Sequence, residues 1–162
     1  MKLIIIPTLN EKKNIKKLFL NIKKLNIKSD FLFIDDNSTD GSREEIIKIK
    51  KKNNNINFIF RPEKWGIGSA HKAGLAYGYK KRYDTIITMD ADGTHDPKYI
   101  KKLLFYSKKY DLVITNRFIN KNSIKDWPFF RKLLTNIRFY LINFLLNFNF
   151  DSSGAYRCIN AK

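Results

Sequence analysis

The chain has 162 residues, 43% hydrophobic and 29% charged, enough for one domain with a real core and too apolar for a disordered tract. Lys and Arg number 32 against 15 Asp and Glu, a formal net charge of +17, which points either to an anionic partner (nucleic acid, an anionic membrane or a phosphorylated substrate) or to a lysine-rich solvated surface. The single cysteine, Cys158, excludes an intrachain disulfide, the apolar run 3–6 is too short for a signal peptide, and the absence of about 18 consecutive apolar residues excludes a conventional membrane-spanning helix.

Residues 3–6 read as a buried strand stopped by Pro7. A helix follows, with Ile15, Leu18, Phe19, Ile22 and Leu25 on one face and Lys16, Lys17, Lys23 and Lys24 on the other. Residues 31–34 form a second strand, ended by Asp35-Asp36. The cluster Asn37-Ser38-Thr39-Asp40-Gly41-Ser42 is a turn that caps a second helix carrying Ile46, Ile47 and Ile49. Residues 56–60 form strand three. Gly66 and Gly68 open a third helix, whose small residues Ala70, Ala73, Gly74 and Ala76 imply close packing on the sheet or backbone approach to a ligand. Residues 85–89 form strand four, Asp96-Pro97 caps and starts a fourth helix with Ile100, Leu103 and Leu104 inward, and residues 111–115 form strand five. This alternation predicts a three-layer α/β/α fold with a mostly parallel sheet, over a single domain 1–162. Residues 127–150 are apolar and aromatic with interspersed cations. They read as a long or broken helix, either packed in the core or lying on a membrane beside Trp127.

Ligands of such sheets bind beyond the carboxyl ends of strands, where both acidic pairs fall. Asp90 and Asp92, one residue apart, can share one hard cation, and their oxygen chemistry suits Mg²⁺ or Mn²⁺. Asp35-Asp36-Asn37-Ser38 is either a capping turn or a carboxylate that accepts from a nucleobase or ribose. Glu11 is a candidate of the same kind, and His95 either joins the cation site or fills its turn. Gly66-Ile67-Gly68 lacks the third glycine of a dinucleotide fingerprint, because that position is His71, and it follows the third strand.

In chain order, Pro7-Thr8-Leu9-Asn10-Glu11 with Asn14-Ile15, Asp35-Asp36-Asn37-Ser38-Thr39-Asp40-Gly41, Arg61-Pro62 with Gly66-Ile67-Gly68-Ser69-Ala70 and Gly74, and Asp90-Ala91-Asp92 with His95 and Pro97 resemble the blocks of family 2 glycosyltransferases of the GT-A fold. The D-A-D-x-x-H-x-P form, Arg117, Arg131-Lys132-Leu133 and Asp151-Ser152-Ser153-Gly154-Ala155-Tyr156-Arg157 resemble the dolichol-phosphate mannosyltransferase (polyprenyl-phosphate glycosyltransferase) branch. The resemblance implies a GT-A fold and a metal-dependent, inverting transfer of a sugar, mannose from GDP-mannose in this branch, to a polyprenyl or dolichyl phosphate. It implies donor binding by Pro7, Leu9, Glu11, Ile34, Asp36, Asp90, Ala91, Asp92 and Arg117. It also implies Mg²⁺ or Mn²⁺ on Asp90 and Asp92, catalytic roles for Asp92, Arg117 and Arg131, and acceptor-phosphate binding by Arg117, Arg131 and Arg157. The partners expected are the nucleotide-sugar, the lipid phosphate and a membrane surface, without nucleic acid, at the cytoplasmic membrane face. A glycan or other hydroxyl acceptor is the alternative on the same scaffold, and a basic nucleic-acid-binding module the alternative of another class. Leu9 and Ser153 depart from the usual aromatic and Thr, and the chain stops at Lys162 where members of the branch continue, which implies a fragment or a minimal enzyme.

Overall fold

The structure is a computed structural model that describes residues 1–116, 118, 128–148 and 150–162. They form two compact units, Met1–Val113 with Tyr156–Lys162, and Ile114–Ala155. In the first, the apolar runs become β1 (Lys2–Thr8), β2 (Asp30–Asp35), β3 (Ile56–Phe60) and β4 (Thr85–Thr88). β1 pairs in parallel with β2 and β4, and β2 with β3. With β5 (Leu112–Ile114) and β6 (Arg157–Asn160) the sheet order is β3-β2-β1-β4-β6-β5.

Strand alternation divides the core between two faces. Ile4, Ile6, Phe31 and Phe33 meet α1 (Lys12–Lys23), α2 (Ser42–Lys50) and α4 (Ile100–Tyr106) through Ile15, Phe19, Ile46 and Leu103. Leu3, Ile5, Leu32 and Ile34 meet α3 (Ile67–Lys80) on the other face. The expected three-layer α/β/α arrangement is therefore present. α3 lies close because it presents glycine to the sheet: a Cβ on Gly74 would fall 2.6 Å from Ile5 Cγ2, and one on Gly78 2.6 Å from Ile86 Cδ1. Close packing is thus what the small residues of this helix provide.

Three local expectations need correction. Pro7 does not stop β1, which continues to Thr8. Ile5 O accepts from Met89 N, so odd-numbered residues of β1 turn their amide groups toward β4. The β1–β4 pairing ends at Ile5 and Thr88, so Pro7 lacks an N–H where no ladder bond is called for. Asp96-Pro97 starts a 3-10 turn, Pro97–Tyr99, before α4 begins; Asp96 still caps it, accepting from Lys98 N at 2.9 Å. The sixth strand, antiparallel to β4 and seated between β4 and β5, was not legible.

In the second unit, α5 (Phe129–Leu146) ends at Asn147, whose φ of +52° is left-handed. A single helix therefore accounts for most of the 127–150 segment. Much of its apolar surface is open: Phe130, Leu134, Tyr140 and Leu145 are exposed, and Phe144 is 85% exposed. Asp151 Oδ1 accepts from Ser153 N and Oγ, and Arg138 Nη2 donates to Ser153 Oγ at 3.0 Å, so serine supplies a hydroxyl where threonine is usual. Among the described residues, no helix is long and apolar enough to cross a membrane.

Candidate active site

A cavity of about 340 Å³ opens at the carboxyl ends of β1, β2 and β4. Pro7, Leu9, Glu11, Asp36, Asp90, Ala91 and Asp92 line it, and Thr8, Lys64, Gly66, Ile67 and Ala70 complete the wall. Ile34 does not reach it. It lies on the same side of the sheet as Asp36 but one step deeper, fully buried with Leu3, Ile5 and Ala70 under α3, so it supports the floor beneath the wall.

The loops after β1 and β2 are laced together. Asn10, in the left-handed region at φ +57°, donates from its amide to Ser38 Oγ at 2.8 Å and accepts from Thr39 N at 2.9 Å. Glu11 N donates to Ser42 Oγ, Lys12 N donates to Asp40 Oδ2, and Glu11 Oε2 accepts from Asn14 Nδ2 at 2.6 Å. Gly41, the N-cap of α2, has no side chain to cap with; Asp40 Oδ1 instead accepts from Ser42 N, and the turn cluster 37–42 also fixes the Asn10-Glu11 corner.

The two acids of the first pair have different roles. Asp35, fully buried, accepts from Arg43 Nε at 2.6 Å and from Ser38 N at 3.1 Å, which makes it an anchor for the turn. Arg43 also donates to the carbonyl of Arg61. Asp36 lies on the cavity wall and accepts from Arg61 Nη1 at 3.0 Å, Trp65 N at 3.0 Å and Gly66 N at 2.7 Å. Burial alone pushes its carboxyl upward, but the hydrogen bonds from Trp65, Arg61 and Gly66 outweigh it and hold Asp36 below the usual carboxylate value. The Asp36–Arg61 pair was missed at the sequence level, because partners 25 positions apart leave no local spacing signal.

The second pair sits on a braced loop. Asp90 N donates to His95 Nδ1 at 2.9 Å, which puts the imidazole proton of the neutral ring on Nε2, 3.7 Å from Asp90 Oδ2. The ring stacks on Tyr156 at 4.9 Å, and the Tyr156 hydroxyl donates to Asp96 O at 3.1 Å. His95 therefore belongs to the site as a brace for Asp90. Asp92 is exposed, and Oδ1 takes the amide and hydroxyl of Thr94 at 2.9 and 2.7 Å. Among the described residues no third His, Cys, Asp or Glu joins the two aspartates. Two carboxylates beside an open cavity fit a hard divalent cation that takes its remaining ligands from diphosphate and water.

His71, on α3, has its Nε2 shielded from solvent and without a hydrogen-bond partner among the described residues. Burial holds its imidazole below the usual value; nearby Asp90 raises it, while Arg157 and His95 lower it further. A proton then binds the unfolded chain better than the folded one, so stability is complete above about pH 6.5 and falls as pH drops below it. His71→Gln is expected to flatten the slope of Tm between pH 7 and 5. An unchanged slope would refute this assignment.

Arg117 lies outside the described residues, as does Trp127. Arg131 is the third residue of α5, and its side chain is also outside the description. Arg157 opens β6 opposite Thr88.

The sequence pattern of glycosyl transferase family 2 matches residues 3–160. The chain belongs to glycosyl transferase family 2. It is 31% identical to the undecaprenyl-phosphate mannosyltransferase of Micrococcus luteus over 98% of its length and 66% of that protein's. It is 29% identical to the polyprenol monophosphomannose synthase of Mycolicibacterium smegmatis over 96% of its length and 60% of that protein's. The chain thus spans about two thirds or less of the length of these curated relatives. Among solved structures, glucosyl-3-phosphoglycerate synthase from Mycobacterium tuberculosis, crystallised with Mn²⁺, UDP and glucosyl-3-phosphoglycerate, superposes with a TM-score of 0.64. That match has 16% identity and covers 99% of this chain and 56% of the other. The GT-A fold expected from the motifs of this family 2 chain is therefore the fold observed.

Proposed function

We propose that this family 2 chain transfers a sugar, mannose from GDP-mannose, to a polyprenyl phosphate with inversion at the anomeric carbon. The observation that carries the reading is the cavity lined both by Asp90 and Asp92, which follow β4, and by Asp36, which follows β2. Strands β2 and β4 flank β1, so the two ends are roughly 10 Å apart, two strand spacings, which suits a nucleoside diphosphate laid across β1. The relatives named as mannosyltransferases of undecaprenyl and polyprenol phosphates support the donor and acceptor class.

Asp90 and Asp92 would hold Mg²⁺ or Mn²⁺, which when bound offsets the charge that develops on the departing diphosphate. Asp36, rigid and anionic, orients the nucleoside end. Glu11 is held by Asn14, and His95 keeps Asp90 facing the cavity. A phosphate acceptor is already anionic near neutral pH, so the reaction requires no strong base at the nucleophile. Arg117 and Arg131 supply planar, permanently charged groups for phosphate oxygens, with Arg157 as a further one. The exposed apolar length of α5 is the surface that would rest on the membrane where the lipid acceptor resides.

The test is transfer of radiolabel from GDP-mannose to polyprenyl phosphate with Mn²⁺, followed by extraction into organic solvent. Label in the organic phase that disappears with EDTA is expected. Label transferred only to a sugar hydroxyl would reject the acceptor class. Flotation with liposomes containing anionic lipid tests the membrane surface: recovery with the liposomes is expected, and recovery unchanged by liposomes would overturn it.

A further inference from the structure

Trp65 has no role in the functional reading above, yet it lies in the chain between residues that line the cavity near Asp36. It lies in the loop between β3 and α3, and its neighbours Lys64, Gly66 and Ile67 all line the wall. Its backbone is fixed there, because the amides of Trp65 and Gly66 both donate to Asp36. The residue is nevertheless 55% exposed, so part of its large ring is open to solvent. One face is backed by the Arg61 guanidinium, whose Cζ is 5.3 Å from the ring centroid. Arg61 is itself only 3% exposed and is held by Asp36 and Ser69, so the indole rests on a rigid support. Trp65 lies between the wall residues Lys64 and Gly66 without lining the cavity itself, and among the described residues none that lines it is aromatic.

We propose that Trp65 is the surface on which the nucleobase of the donor stacks, an inference that rests on the nucleotide-sugar reading of the cavity. The two aspartates that would hold a cation fix the diphosphate at the β4 end, so the base must lie at the β2 end, beside Asp36 and the loop that carries Trp65. Aromatic stacking gives affinity without reading hydrogen-bond pattern, and a ring already held in place loses little freedom on binding. Asp36 then acts on the nucleoside as a polar marker, and Trp65 supplies the area.

The experiment uses the full chain, with calorimetric titration of GDP, UDP and inorganic pyrophosphate in the presence of Mn²⁺. Trp65→Ala should weaken GDP about tenfold, within the range for loss of one base–aromatic stack. It should leave pyrophosphate, which has no base, within about twofold, and Trp65→Tyr should recover most of the loss. In Trp127→Phe, where Trp65 is the sole tryptophan, GDP should quench the emission and pyrophosphate should not. Equal GDP affinity in wild type and Trp65→Ala, or an equal loss for GDP and pyrophosphate, would overturn the stacking role while leaving the nucleotide site standing. Absence of any nucleotide or pyrophosphate binding by the wild type would overturn both.

Discussion

Asp92→Ala will abolish Mn²⁺-dependent binding of GDP, by at least about a hundredfold, the order expected when half of a two-carboxylate cation site is removed. The fold will be unaffected. Asp92 is exposed, and its described bonds run only to the neighbouring Thr94, so its loss should change stability by about 0.5 kcal/mol or less. Asp90 is a less clean probe, because its backbone is tied to His95 and so to Tyr156. Calorimetry with and without Mn²⁺ separates the effects. A metal-dependent increment in GDP affinity that persists in Asp92→Ala would remove this residue from the cation site.

Arg61→Ala is the most damaging single change expected in the first unit. Arg61 and Asp36 are both nearly fully buried, and their contact is 3.0 Å. Truncating the arginine leaves a buried carboxylate with two amide donors and no counter-charge, a change that costs about 3–5 kcal/mol. It also frees the loop that carries Trp65 and Gly66, so nucleotide affinity should fall with stability. The acid limb of the stability curve reports the same pair. Asp36 is held below the usual carboxylate value, so its contribution is complete above about pH 4 and is lost as pH falls through the lower folded value. In Arg61→Ala that acid-sensitive contribution should shrink. Urea unfolding at pH 7 and pH 3.5 checks both statements, and a loss below about 1 kcal/mol at pH 7 would mean that water or a shifted lysine replaces the guanidinium.

Legibility in the sequence followed the range of the interactions. β1 to β4 are short apolar runs between turn residues, and their identity is set locally. The acidic pairs were visible because strand ends are where such a sheet binds its ligands. β6 was not, since Arg157-Cys158-Ile159-Asn160 has neither a clear alternation nor an apolar run, and it becomes a strand only by pairing with β4. Ile34 was assigned to the cavity by resemblance, whereas it sits one step deeper than Asp36 on the same side of the sheet, covered by Ala70 of α3. The difference between Asp35 and Asp36 also rests on distant partners, Arg43 for one and Arg61 for the other.

The placement of β6 has a consequence for the order in which the molecule can assemble. β1 to β4 and their helices find partners among segments made before or just after them, so this part of the sheet can form while the chain is still being synthesised. β5 has no neighbour until residues 157–160 have emerged, and the whole segment 115–156 must be made first. Closing a loop of that length is an entropic cost met only once β6 docks on β4. Tyr156, the ring that stacks on His95, arrives with the same strand. The loop that presents Asp90 therefore receives its last support at the end of folding, and the Asp36 side of the cavity is in place before the Asp90–Asp92 side.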